Sequence, residues 1–338
     1  LVVLLSTQYI EEGDYWESEY YQMLTASVLG MVVMASARDL ISIFVALELL
    51  SIPAYLLAAW RKNDLKSNEA GLKYYLMGVF ASGVMLYGMS LVFGVVGSTK
   101  LVDIGEVLAG GLGDEPAVTL GIVFVIVGFA FKVSAFPFHM WAPDTYEGAP
   151  TPVTAFISVA PKAAAFAMFM RLFFDAFAPG VEHWRIVLWV ASAATMIYGN
   201  VAALTQDNVK RMLAYSSIAH AGYALMGLVA FNETGAWALL MYMLIYAVMN
   251  LGAFGFVILL ESKGYAGETI GDYAGLARRH PGAALGMLIF MLALAGIPPT
   301  AGFMGKLYLF AAAVEGGYVL LTVIAVIMSA VSLYYYFR

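Results

Sequence analysis

The sequence predicts an all-α polytopic membrane protein of about ten transmembrane helices, and three observations carry that prediction. Hydrophobic residues make up 62% of the 338 residues and charged residues only 12%, with a mean hydropathy of +0.83, where soluble domains run at about 45–50% and about 25%. The apolar residues gather into long stretches, roughly 20–38, 40–60, 70–97, 116–140, 152–175, 185–204, 209–230, 234–260, 282–314 and 316–338; a bilayer crossing needs about 20 residues. The connections are short, and no polar or low-complexity linker suggests a second domain.

Taken in order, Leu1–Ile10 is apolar but too short to span, and it reads as the stump of a preceding helix followed by an acidic segment to Glu19. Stretch 40–60 carries Glu48 and Pro53, stretch 70–97 carries Lys73 in its first turn, and 116–140 is one span with Lys132 and Pro137 near its end. Stretch 152–175 holds Pro161 and Lys162, and 209–230 holds His220. In 282–314, Gly296, Pro298, Pro299 and Gly302 must break the helix before Lys306. The last stretch stops at Arg338 as soon as it has spanned, so both ends read as cut from a longer chain.

With alternating orientation, Arg61, Lys62, Lys66, Lys210, Arg211, Lys263, Arg278, Arg279 and Arg338 fall on one side, and Arg38, Lys100, Arg171 and Arg185 on the other. The first side is therefore cytoplasmic. Asp39, Tyr55 and Tyr74 recur 168 residues later as Asp207, Tyr223 and Tyr242. That offset spans five crossings and reverses orientation, the plan of an inverted repeat. The expected organisation is a leading segment 1–19, a first five-helix repeat 20–175 and a second 176–338.

Composition also excludes functions. The formal net charge is −6 with no basic cluster, so nucleic acid is not a partner. There is no Cys, and His139, His183, His220 and His280 show no metal-ligand spacing. No phosphate-binding loop or nucleophile elbow is present. The chain carries no redox centre or cofactor of its own, and the abundant Phe, Tyr and Met read as packing and interfacial belts.

What remains is a set of charges inside apolar stretches: Lys73, Lys132, Lys162, Lys306 and Glu48. A charged residue at the bilayer centre costs about 2.5–3.5 kcal/mol on insertion scales, so each reads as functional before structural. Burial opposes the charged form of Lys132, a facing carboxylate such as Glu48 favours it, and separating the two would release a proton. The competing reading is a static buried ion pair, which apolar residues can often replace. The carbonyls freed near Pro137 lie beside Lys132, and small Ala neighbours leave room for water around Lys162. Lys306 follows a mid-membrane break, which places it at a hydrated site. Lys73 could instead snorkel to the interface. His139 and His220 can relay protons near neutral pH, or simply satisfy a hydrogen bond.

The blocks FVALELLSIPAYLLAAWRK, GLKYYLMG, FKVSAFPFHMWAPDTYEGAPTPVTAFISVAPKAAAF and LALAGIPPTAGFMGKLYLF together resemble the antiporter-like membrane subunits of proton-pumping NADH:quinone oxidoreductase, respiratory complex I. Within them the match is most like the subunit N branch, subunit 2 in mitochondria. The resemblance implies two inverted five-helix repeats with broken helices and a polar axis through the membrane. It also implies Glu48 as carboxylate partner, Lys132 in the first broken helix, Lys162 as central connection, Lys306 as terminal Lys and His139 as a bridge between Lys132 and Lys162. Other membrane subunits of the complex and the lipid bilayer would be its partners. NADH, FMN, iron–sulfur clusters and quinone would belong to other subunits, and the location would be a bacterial plasma membrane. A multi-subunit cation/proton antiporter or a membrane-bound hydrogenase or related quinone reductase is the alternative. Family members usually have more helices, and the 168-residue offset sets Ser216 opposite Glu48 and Met241 opposite Lys73, so the second repeat lacks that charged pair.

Overall fold

A computed structural model describes residues 1–13, 15–264 and 267–338. Asp14 and the side chain of Glu12, within the acidic leading segment, lie outside the described residues. The elements are α1 (Val2–Gly13), α2 (Glu17–Ser36), α3 (Leu40–Ala58), α4 (Leu65–Val96), α5 (Leu101–Val107), α6 (Pro116–Val133), α7 (Trp141–Gly148) and α8 (Thr151–Arg171). They continue as α9 (Val181–Ala203), α10 (Val209–Ala230), α11 (Glu233–Ser262), α12 (Leu276–Arg279), α13 (Pro281–Ala295), α14 (Ala301–Glu315) and α15 (Val319–Phe337). Among the described residues, eight helices are long and apolar enough to cross a membrane. The α2 helix and the broken pair α13–α14 occupy the other two of the ten predicted stretches.

Local chemistry explains where the helices begin. Asp39, Asp64, Asn208 and Asn232 are the N-caps of α3, α4, α10 and α11, each accepting a hydrogen bond from a first-turn amide. Each repeat therefore opens its second and third crossings on Asx caps. A two-bond clasp joins each first cap to a later loop: Asp39 faces Lys100, and Asn208 faces Thr269. Leu40 donates to the Thr99 carbonyl at 2.9 Å and Leu101 to that of Arg38 at 3.0 Å; Val209 donates to that of Glu268 and Ile270 to that of Asp207, both at 2.8 Å.

These clasps are related by 169 residues and lie at opposite ends of an odd number of crossings, as an inverted repeat requires. They also correct the register. Asp39 is matched by Asn208 and not by Asp207, so the ninth residue of α3, Glu48, corresponds to Ser217 of α10.

Two boundaries differ from the sequence reading. The stretch 116–140 is not one helix: α6 ends at Val133, Ser134 takes a left-handed conformation at φ 61°, and the chain turns through Pro137 into α7. The second break repeats this with Gly296 at φ 80° closing α13. Helix α4 begins at Leu65, so Lys73 lies beyond its first turn.

The α10 helix is buried along its whole length and α8 along most of it. Packing around them are α2, α7, α9, α11 and α14. Small residues let helices close up: a Cβ on Gly88 of α4 would sit 2.5 Å from the Gly121 carbonyl of α6, so this crossing admits only glycine.

Candidate functional site

Lys132 sits in the last turn of α6, 2% exposed. Its ammonium donates to Ser51 Oγ at 2.5 Å and to the Tyr55 hydroxyl at 3.3 Å, and faces the rings of Tyr55, Tyr74 and Phe131 at 5.2, 5.8 and 5.4 Å. The Ser51 hydroxyl in turn donates a hydrogen bond to the Leu47 carbonyl. Glu48, Ser51 and Tyr55 are spaced i, i+3 and i+7 on α3 and so share one face. Glu48 Oε1 is buried without a hydrogen-bond partner. The predicted Glu48–Lys132 pair is therefore open: the carboxylate lies within electrostatic reach of the ammonium, and Ser51 takes the ammonium's hydrogen bond. The carbonyls near Pro137 do not receive Lys132 either, because α3 supplies better-placed hydroxyls.

Lys162, 1% exposed at mid-α8, donates to Ser217 Oγ at 2.6 Å and approaches the Tyr146 ring at 5.8 Å. Ser217, the register partner of Glu48, also accepts from the Tyr246 hydroxyl at 2.8 Å. The ammonium that the sequence reading expected in water is thus held by a neighbouring hydroxyl.

Lys306, 4% exposed, lies on α14 and turns back to the break. It donates to the Leu294 and Ala295 carbonyls at 3.2 and 2.9 Å and to Ser329 Oγ at 2.8 Å, over the Tyr223 ring at 4.8 Å. Gly296 makes room for it, since a Cβ there would meet Lys306 Cδ at 2.9 Å. The freed carbonyls that sequence reasoning assigned to the first break serve the second.

The two histidines part company. His139 stacks on Phe136 at 5.4 Å and meets the tilted ring of Tyr198 at 4.3 Å, and among the described residues its Nδ1 has no hydrogen-bond partner and no hydrogen bond joins it to Lys132 or Lys162. His220 is the embedded one. Its Nδ1 pairs with the Tyr242 hydroxyl at 2.6 Å and its Nε2 with that of Tyr336 at 3.2 Å. The charges of Lys306 and Lys162 both act on it, and Tyr336 also bonds Ser216. The sequence signal was SSIAHAGY, which puts Ser216, Ser217 and His220 on neighbouring faces of one helix.

Lys73 does not join this axis. Its side chain is 42% exposed and pairs with Glu69 at 2.7 Å and Asp144 at 2.5 Å. Arg211 binds Asp144 and Glu147 at 2.7 and 3.0 Å, and Lys66 binds Glu147 at 3.2 Å, around a recess of about 200 Å³. Burial alone would raise the Asp144 carboxyl, but Lys73 and Arg211 outweigh it and hold the group below the usual carboxylate range. Lys210, counted from sequence as a loop cation, is instead buried against Glu268 at 3.0 Å and the Ala149 carbonyl at 3.2 Å. Its partner is 58 residues away, beyond any local pattern. Among the described residues no cluster of three His, Cys, Asp or Glu could hold a metal.

The family described as NADH:quinone oxidoreductase/Mrp antiporter membrane protein matches residues 37–332. The chain belongs to this family. An NADH-quinone oxidoreductase subunit N from Trichlorobacter lovleyi is 49% identical over 339 residues, covering 100% of this chain and 70% of that protein. A chain of respiratory complex I from Thermus thermophilus superposes with a TM-score of 0.83 at 38% identity, covering 100% of this chain and 73% of that one. A chain of the Mrp complex from Dietzia sp. superposes at 0.85 with 26% identity, covering 93% and 58%. In both family assignment and fold, the inverted repeats with broken helices agree with the sequence reading.

Proposed function

We propose that this chain is a proton-translocating membrane subunit of an NADH:quinone oxidoreductase, with protons passing along Lys132, Lys162 and Lys306. The observation that carries this reading is three fully buried lysines, each held by hydroxyls or carbonyls and, among the described residues, none by a carboxylate within contact distance. A buried ammonium without a counter-charge is costly as structure and useful as a proton carrier. Subunit N relatives at 49% and 50% identity support the assignment. The repeats would be 20–175 and 176–338. NADH, FMN, iron–sulfur clusters and quinone would reside in partner subunits, where redox chemistry changes the distance between Glu48 and Lys132.

His220, with Tyr242, Tyr246, Ser217 and Tyr336, would relay between Lys162 and Lys306. Glu48 sets the electrostatic bias on Lys132, while His139 and Lys73 take a lesser part: one sits among rings, the other in surface ion pairs. The test is proton pumping per NADH oxidised in vesicles carrying the whole complex. Lys132→Ala and Glu48→Ala should each lower it; unchanged pumping in both would sink the scheme. Sodium-dependent proton flux without NADH oxidation would move the reading to the Mrp class, to which the Dietzia likeness also points.

A further inference from the structure

The α8–α11 seam carries polar groups that the Lys axis does not use. On α8, Thr151, Thr154, Ser158 and Lys162 are spaced by three, four and four residues and share one face. They rise in steps of about 4.5–6 Å from the basic-rich face towards the central lysine. At the top of this stripe Thr151 donates to Glu261 Oε2 at 2.8 Å. Glu261 is partly exposed at the end of α11, beside Lys210 and Glu268. Deeper, Asn250 Nδ2 donates to Ser158 Oγ at 2.6 Å, and the Tyr246 hydroxyl lies 3.4 Å from the Ser158 carbonyl and 2.8 Å from Ser217 Oγ, which holds Lys162.

Two features resist a purely structural account. Asn250 is fully buried, yet its Oδ1 has no partner; whichever way the amide is turned, one polar end faces no protein group. A carboxylate anchors the far end of a stripe whose hydroxyls otherwise satisfy their own helix, as when Ser158 donates to the Ala155 carbonyl at 2.8 Å. Bonds back to carbonyls three or four residues earlier explain the hydroxyls of Thr154 and Ser158 but neither Glu261 nor the free end of Asn250.

We propose that Glu261 is an inner-face proton acceptor that feeds Lys162 directly along the α8–α11 seam, through Thr151, Thr154, Ser158 and Asn250. Glu261 takes a proton from the aqueous phase. Water molecules bridging the hydroxyl steps pass a proton on, so that the Glu261 carboxyl returns to carboxylate as the Lys162 amine becomes ammonium. The free end of Asn250 supplies the bridging water with a partner beside Ser158. The α11 side of the upper seam is apolar at Val257 and Phe254, so the file is one-sided and transient. Lys162 thereby has an uptake route that bypasses Lys132.

This inference rests on the proton-translocating reading, and the experiment separates the two. In the solubilised whole complex, NADH:quinone turnover is measured for Glu261→Gln, Glu261→Asp and Lys162→Ala, with and without a small weak acid (azide or imidazole). Glu261→Gln should lose about tenfold, within what a positioned proton-transfer group contributes, Glu261→Asp should retain most of the rate, and the weak acid should restore Glu261→Gln but not Lys162→Ala. If Glu261→Gln fails to assemble, Thr151→Val, which removes one hydroxyl, carries the same expectation, including rescue. Parental turnover in the uptake variant while Lys162→Ala is slow, or a loss that no weak acid restores, overturns the route and leaves the translocating reading intact. Parental turnover in Lys162→Ala overturns both.

Discussion

The two stretches of the lysine axis are built from different material. From Lys132 to Lys162 the intervening groups are rings: Tyr74 stacks on Trp141 at 4.2 Å, Trp141 meets Tyr146 at 6.2 Å, and each lysine faces one end of the stack. From Lys162 to Lys306 they are hydroxyls and an imidazole in three bonded groups, Lys162–Ser217–Tyr246, Tyr242–His220–Tyr336 and Lys306–Ser329, with distances of 2.6–3.2 Å. A ring stack excludes water and offers no continuous donor–acceptor chain, whereas the second stretch is hydrogen-bonded in segments, with the His220 ring 5.1 Å from that of Tyr246. On the proposed reading a proton leaving Lys132 for Lys162 must open the first stretch, whereas one passing from Lys162 to Lys306 needs only short rearrangements between bonded segments. On that reading one repeat would gate while its inverted copy relays, although both share caps, clasps and breaks.

The comparison can be broken at several points. The largest effect is expected from Lys162→Ala, which removes the terminus common to both stretches and should lower proton flux by about 100-fold or more in vesicles of the whole complex. Next, Tyr246→Phe and Tyr74→Phe each delete a single hydroxyl, one in each stretch. Turnover should fall about tenfold in the first and change by less than about twofold in the second; equal losses would mean that the stretches do not differ in kind. A smaller effect belongs to Gly296→Ala, which places a Cβ 2.9 Å from Lys306 Cδ on a residue at φ 80°. It should cost about 1–3 kcal/mol in thermal unfolding of the complex and slow turnover by moving Lys306 from its carbonyls.

The smallest expected effect lies at Asp144, on the short helix that also carries Trp141 and Tyr146 of the ring stack. Its carboxyl is held below the usual range, so its contribution is complete at neutral pH and fades as pH falls through the folded value. Wild type should therefore be more heat-stable than Asp144→Asn at pH 7, and the two should converge in acid below about pH 4. A constant difference across that range would remove Asp144 as the electrostatic anchor of the stack.

Much of this was legible in the sequence because the bilayer makes charge expensive. Lys132, Lys162 and Lys306 stood out from apolar runs, and all three are buried where that argument puts them. The second helix break was equally plain from Gly296, Pro298 and Pro299. The first was expected only from the resemblance, because Pro137 lies after Ser134, the residue that caps α6 in a left-handed conformation that no local preference announces. Long-range partners stayed hidden for a different reason. Ser51 is 81 residues from Lys132 and Ser217 is 55 from Lys162, so the ion pair inferred with Glu48 was the nearest chemistry that the sequence offered. Lys210 read as a loop cation because its burial depends on how α10 packs. His220 and His139 carried the same prior, and only the neighbouring tyrosines tell them apart.

The clasps at Asp39–Lys100 and Asn208–Thr269 also bear on how the chain is made. On the orientation set by the basic residues, the first clasp closes on the outer side, so Lys100 must be carried across the bilayer before it can meet Asp39. The second joins two loops that remain in the cytoplasm. The same two-bond device therefore imposes different timetables during insertion: the first repeat locks only after translocation of its loop, while the second can lock as soon as α11 has been threaded and Thr269 has left the ribosome.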